Sequence, residues 1–329
     1  MISIPGQPAY ESDRRFELFG SHVRVLIGEP VRPGLPSPEA MGIQIEFFLR
    51  LLHRKLTRFD ERSDLCALNL DPNPHVLVGS TLLAAVDAAL WAARRSDGLV
   101  DPTLVRELEA AGYGGSRADV PPASIRDALA AAPERKVARP WAASRWREIA
   151  VNPRTRVVSR PPGVRIDTGG TGKGLAADLA AERLGGYATF VVDAGGDLRL
   201  GGERPVERLV RIGHPLDDGP AHEFMVDDGA VATSGIRTRL WRIDTAFAHH
   251  LLDPSSGAPA WTGLIQASSL GRTALEAETL AKMAFLSGPE GARRILAEHG
   301  GLLVLDDGTV ETVGSPGEGA ADQARELAA

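Results

Sequence analysis

Ile166-Asp167-Thr168-Gly169-Gly170-Thr171-Gly172-Lys173-Gly174-Leu175-Ala176-Ala177-Asp178 sets an acid, four glycines and a lysine between an apolar β-like run and the start of a helix. That composition suits an anion. Glycines let backbone N–H groups approach a phosphate, the helix start adds partial positive charge, and the lysine adds a full one. A Walker loop needs Gly five positions before the Gly of its Gly-Lys pair and Ser or Thr after it, and here Asp167 and Gly174 stand in those places. The dinucleotide fingerprint fits better, with Gly172, Gly174 and Ala177 as G-x-G-x-x-A and Asp193 about 20 residues on. The elements around the loop have to decide.

Outward from it, residues 16–27 alternate as a strand does, and Ser37-Pro38-Glu39 opens a helix that runs towards Arg58. Ile43, Phe47, Phe48, Leu51 and Leu52 recur along that helix at helical spacing and are expected to face the core. A second helix starts near Ser80 and stops at Ser96-Asp97-Gly98, where glycine suits a left-handed cap. Residues 121–140 read as a peripheral insertion around a short alanine-rich helix. From Trp146 short β-like runs follow, at 148–151, 157–158, 164–166, 189–192, 198–200, 209–212 and 264–270. A helix at 173–184 interrupts them, two more at 273–287 and 289–299 come after, and a hairpin around Asp307-Gly308 closes the pattern. Helices, then strands, then helices is an α+β order and not the alternation of a doubly wound sheet, which weighs against the dinucleotide fingerprint. Residues 1–313 are expected to form one domain, and the small polar stretch 314–329 to be a disordered tail.

With 329 residues, 43% of them hydrophobic, the chain can bury a substantial core. Its 37 basic and 43 acidic side chains leave a net charge of −6, which favours neither nucleic acid nor an anionic membrane as partner. Cys66 is the single cysteine, which excludes an intrachain disulfide, and its neighbours Leu65, Ala67 and Leu68 mark it as a small buried hydrophobe. The stretch 1–20 carries Glu11, Asp13, Arg14, Arg15 and Glu17 where a secretory leader is apolar, and no run of about 18 apolar residues occurs. A cytoplasmic protein is expected.

Five segments bear on chemistry: Ser63-Asp64-Leu65-Cys66-Ala67-Leu68-Asn69, Asp101-Pro102-Thr103, the glycine loop, Asp193-Ala194-Gly195-Gly196-Asp197, and Ala232-Thr233-Ser234-Gly235 followed by His249-His250-Leu251-Leu252-Asp253-Pro254. Taken singly, the loop is as much a tight strand-to-helix turn as a phosphate cradle, and Asp193 to Asp197 can be a plain turn between strands. Adjacent residues on a strand point to opposite faces, so only one of His249 and His250 can enter a site from it. In this order and spacing the segments resemble the ApbE family, the FAD:protein FMN transferases, over about residues 16–305. The resemblance implies an α+β fold that binds FAD and, with Mg²⁺, moves its FMN half onto a Ser or Thr of a target flavoprotein, releasing AMP. It assigns Gly169, Gly170, Gly172, Gly174 and Lys173 to the pyrophosphate. Asp101, Thr103, Asp193, Gly195, Gly196, Asp197, Thr233, Ser234 and Gly235 are assigned to the rest of the FAD pocket. His250, three residues before Asp253-Pro254, becomes general base or proton relay, with Asp253 orienting it or the substrate.

The chain departs from the family near the last helices. Where the family has Ala-Asp-x-x-x-Thr, whose Asp and Thr bind Mg²⁺ with a backbone carbonyl here at Gly170, this chain has Ala277-Glu278-Thr279-Leu280-Ala281-Lys282. Glu278 keeps a carboxylate on a longer arm, but a protonated Lys282 has three donors and no acceptor. The two are i and i+4 on a helix apolar on most sides, so the pair is expected to face a polar cavity, with the ammonium offsetting pyrophosphate charge in place of Mg²⁺. A second departure is Ile236-Arg237, where many family members carry an acid. Two readings follow: an FMN transferase with an altered metal requirement, or an FAD-binding protein that does not transfer, or that slowly hydrolyses FAD to FMN and AMP.

Overall fold

The alternation near the start of the chain resolves into a hairpin, not one strand. In the computed structural model, which describes residues 2–3, 11–117 and 120–314, strands Ser12–Leu18 and Ser21–Ile27 pair antiparallel across Phe19-Gly20. Both turn residues are left-handed, with φ of 57° and 63°, as a two-residue hairpin turn of the primed type requires. Phe19 is an unusual occupant of that region, which is why the sequence reads straight through it. The stretch after Gly314, read as a disordered tail, lies outside the described residues.

This hairpin forms one edge of an eight-stranded sheet. From the other edge the order is Val310–Val313, Gly301–Leu305, Leu264–Gly271, Gly229–Gly235, Asp197–Gly201, Phe190–Ala194, Ser21–Ile27 and Ser12–Leu18, and every neighbouring pair is antiparallel. An all-antiparallel sheet contains no parallel βαβ unit and ends the dinucleotide-fold reading. Consecutive strand residues divide between two cores. Val25, Val192 and Ala232 pack with the helices Pro38–Leu56, Ser80–Arg95 and Gly172–Arg183, while Leu26, Val191 and Val231 pack with the helices Ala274–Leu286 and Gly288–Leu296 and a small sheet containing Arg208–Gly213 and Pro220–Val226. Both faces are covered, so buried apolar residues fall on both sides of these strands instead of on one face only.

Ser37 caps the first long helix, its hydroxyl accepting from Ala40 N–H at 3.3 Å. The buried stripe is Met41, Ile45, Leu49, Leu52 and Leu56, whereas Ile43 and Phe47 are 55% and 70% exposed. The helix carries two apolar stripes and the sheet takes only one, which corrects the core expected from Ile43 and Phe47. Phe48 is half-buried, with the Arg183 guanidinium 3.5 Å above its ring centroid. Cys66 is also half-buried rather than core, its Sγ 3.5 Å from the Arg58 carbonyl. Among the described residues no helix is long and apolar enough to cross a membrane.

Candidate active site

Residues 164–166 form no strand, because a side chain takes the place of the neighbouring strand. Ile166 N–H donates to Asn69 Oδ1 and its carbonyl accepts from Asn69 Nδ2, both at 2.8 Å. Asp167 N–H donates to the Pro102 carbonyl at 2.8 Å, and its carboxylate accepts from Gly169 N–H at 3.0 Å with Arg58 Nε 3.7 Å away. The entry of the glycine loop is thus pinned, and the helix Gly172–Arg183 leaves from its far end. Among the described residues, a Cβ at Gly172 would meet nothing within 4 Å, and one at Gly170 only the Lys282 and Val100 side chains at 3.9 Å. This stretch opens on a cleft of about 1080 Å³, with a helix start facing it.

Gly174 behaves differently from its neighbours. A Cβ there would lie 2.6 Å from the Ala274 carbonyl oxygen, and its N–H already donates to Glu278 Oε2 at 2.8 Å. Expected in the phosphate cradle, it is instead the point where two helices touch. Asp178 on one helix accepts from Ala274 and Leu275 N–H at 2.8 and 2.9 Å, so each helix caps the first turn of the other.

The floor of the cleft is charged. Lys173 Nζ lies 2.7 Å from Asp197 Oδ2 and donates to the Gly195 carbonyl at 3.2 Å. Burial works against this ammonium, but Asp197 and Glu278 outweigh it and hold its pKa above the ordinary lysine range. Asp197 is 1% exposed and not on the cleft wall, so it reaches the site through Lys173. Asp193 accepts from Gly196 N–H at 2.7 Å, and burial pushes its pKa up to about 6 against that hydrogen bond, with the Asp197 charge adding to the rise. Gly195 has φ of 76°, and a Cβ on it would fall 2.8 Å from Ser21, so glycine lets this turn lie against the first hairpin. Asp101 lines the cleft. Thr103 stands behind it, giving both its N–H and its hydroxyl to Asp101 Oδ1 at 2.8 and 2.6 Å, while the Ser144 hydroxyl donates to the other oxygen.

Strands Leu240–Ile243 and Ala246–His249 form a hairpin that delivers the histidines. His249 is fully buried, edge-on to the rings of Trp261 and Phe285, and burial drives its pKa down to about 3. His250 lines the cleft, and its Nδ1, buried from solvent, has no hydrogen-bond partner among the described residues. Burial, with the charges of Lys282, Arg239 and Lys173, holds this imidazole well below its ordinary pKa, so it is neutral. Thr233, Ser234 and Gly235 line the same cleft, Thr233 Oγ1 being 2.7 Å from Ser268 Oγ. Asp253 is not on the wall, and no hydrogen bond joins its carboxylate to His250. Its carboxylate accepts from Arg139 N–H, Ser255 N–H and the hydroxyls of Ser255 and Ser256, at 2.9 to 3.0 Å, so it shapes the turn after the hairpin instead of orienting the base.

Three residues that sequence reasoning passed over hold this arrangement. Asn69 anchors the loop, Arg58 also donates to the Tyr113 carbonyl, and Arg239 donates to the carbonyls of Phe19 and Gly20 at 3.2 and 3.3 Å, tying the first hairpin to the histidine wall. The only signal for Asn69 is its place at the end of a motif.

The donor set at the position implied for Mg²⁺ does not fit that ion. Glu278 is 1% exposed, with one oxygen engaged by Gly174 N–H and the other by the Lys282 ammonium at 2.8 Å. Burial pushes this carboxyl up, and Lys282 opposes the rise. A hard cation wants near-octahedral free oxygens, and here both carboxylate oxygens are taken and an ammonium stands beside them. Among the described residues no three His, Cys, Asp or Glu side chains gather as a metal-ligand group. Ile236 lies in the core, and Arg237 on the cleft wall donates to the His214 carbonyl at 2.7 Å, so neither supplies the acid that the resemblance implies there.

The chain is 29% identical over 288 residues to the FAD:protein FMN transferase of Treponema pallidum (strain Nichols), covering 82% of this chain and 78% of that protein. It is 32% identical over 227 residues to the FAD:protein FMN transferase of Rhodobacter capsulatus, covering 66% of this chain and 41% of that one. The structure matches that of the ApbE protein from Thermotoga maritima MSB8 with a TM-score of 0.74 at 26% identity, over 92% of this chain and 97% of the other. The flavin transferase ApbE from Vibrio cholerae shares the fold at a TM-score of 0.69 and 19% identity, over 93% and 98% of the two chains. A sequence profile of the ApbE family spans residues 19–305, and the chain belongs to that family.

Proposed function

We propose that this protein is an FAD:protein FMN transferase. The observation that carries the reading is the pairing, on one cleft, of a charged Lys173 at an open glycine loop with a neutral His250 on the wall. The loop, its helix start and Lys173 bind the pyrophosphate of FAD. The oxygen of an acceptor Ser or Thr attacks the phosphorus on the riboflavin side, the bond from that phosphorus to the bridging oxygen breaks, and AMP leaves with the bridging oxygen. His250 takes the hydroxyl proton. Bound pyrophosphate offsets Lys282, Arg239 and Lys173, the charges that help hold the imidazole down, so substrate binding itself raises the basicity the step needs. No step is assigned to a metal.

The test is incubation with FAD and a flavoprotein domain carrying a candidate Ser or Thr, followed by mass measurement of the domain. A gain equal to FMN less water, with AMP in the medium, supports transfer. FMN and AMP without an adduct support the pyrophosphatase reading, which the Glu278–Lys282 pair at the implied metal position favours.

A further inference from the structure

We infer that the ammonium of Lys282, aimed by Glu278, takes the place of a divalent cation against the pyrophosphate, so that the cleft binds its dinucleotide without a metal. The inference rests on the FAD reading above. Lys282 lines the cleft although its side chain is only 13% exposed, and Glu278 beneath it is 1% exposed. A solvated i,i+4 pair would leave both groups in water, free to rotate. Here Glu278 is fixed at both ends, holding Gly174 N–H at the first turn of the loop's helix with one oxygen and Lys282 Nζ with the other, each at 2.8 Å. The carboxylate therefore sets the ammonium in position, and each of its oxygens already accepts a hydrogen bond where a metal would need it free. Of the three donors on the ammonium, Glu278 accounts for one.

The placement of Lys282 is symmetrical with that of Lys173. Its Cε lies 3.9 Å from where a Gly170 Cβ would be, at the open part of the loop, while Lys173 extends from the other end of the same loop towards Asp197. Each ammonium is paired with a buried carboxylate, Lys282 with Glu278 and Lys173 with Asp197, and both lysines line the cleft. Two cations flanking one loop supply the positive charge a pyrophosphate requires, and a Mg²⁺ ion between them would be repelled in a poorly solvated site.

Binding rather than turnover tests this. FAD, FMN and riboflavin are titrated, by flavin fluorescence, into wild type, Lys282→Met and Lys282→Arg, each in EDTA and in excess Mg²⁺, with melting curves confirming the fold. Wild-type affinity for FAD should change by less than about twofold between EDTA and Mg²⁺. Lys282→Met should weaken FAD by about tenfold or more and riboflavin hardly at all, and Lys282→Arg should keep most of the FAD affinity. Mg²⁺ that tightens wild-type FAD binding about tenfold overturns the inference while leaving the FAD reading intact. Equal losses for FAD and riboflavin in Lys282→Met overturn it too, since the role is then structural. If Lys282→Met does not fold, the wild-type metal comparison and Lys282→Arg decide. Failure of wild type to bind FAD under either condition overturns the proposed function, and the inference with it.

Discussion

Replacing Asn69 by Ala removes both hydrogen bonds that hold Ile166, and among the described residues no strand pairs with Ile166 to supply others. Each such bond contributes about 1 kcal/mol net, with a further cost where a backbone group is left without any partner. Ile166 is itself fully buried, yet Asn69 is only partly so, and water can enter to repair some of the loss. A destabilisation of about 1–3 kcal/mol is expected, read as a lower urea midpoint at unchanged slope. The same change frees the entry of the glycine loop, so FAD affinity should fall alongside stability. Asn69→Asp makes a sharper comparison, because it keeps the acceptor for Ile166 N–H and sets a second oxygen against the Ile166 carbonyl. It should destabilise the protein at neutral pH. If Asn69→Ala unfolds at the wild-type urea midpoint and binds FAD as wild type does, the loop is held by something else and the anchoring argument is wrong.

His250→Ala should abolish FMN transfer and leave FAD affinity within about threefold, the pattern of a group acting chiefly in the transition state; loss of FAD binding would make it a ligand anchor. Because Asp193 ionises at about 6 beside the loop, FAD affinity should decline as pH rises from about 5 to about 7, and Asp193→Asn should flatten the slope. A wild-type titration without that slope counts against placing the pyrophosphate next to Asp193. Gly174→Ala drives a methyl into the Ala274 backbone and should cost about 1–3 kcal/mol in urea denaturation, whereas a neutral result would mean that the two helices separate easily.

The helices were the most legible part of the fold, because their ends are written locally. Ser37 and Thr273 both cap where the sequence places a start, and apolar spacing carries each pattern between its ends. Strand Gly229–Gly235 offers no such mark. Its Ala, Thr, Ser and Gly have little strand preference, and neighbours on both sides make it a strand. Which stripe of the Pro38–Leu56 helix is buried is likewise decided by the sheet. At the site, Lys173, Asp193 and His250 stand out in sequence because their side chains carry chemistry. Asn69 and Arg239 work on backbone carbonyls far along the chain, Ile166 for one and Phe19 for the other, and no local pattern announces that. Asp253 and Gly174 show the reverse, motif positions whose groups are occupied by turn and helix contacts.

The reciprocal capping of the two helices also constrains how this chain could diverge from its relatives. Losing the lysine alone strands a buried carboxylate oxygen, and losing the glutamate alone strands both an ammonium and Gly174 N–H, so each single-step ancestor is handicapped. Positions 278 and 282 are therefore expected to be inherited as a unit. In an alignment of this lineage, a lysine at 282 should travel with a glutamate at 278, and with glycine at 174, whose bare backbone lets the carboxylate approach.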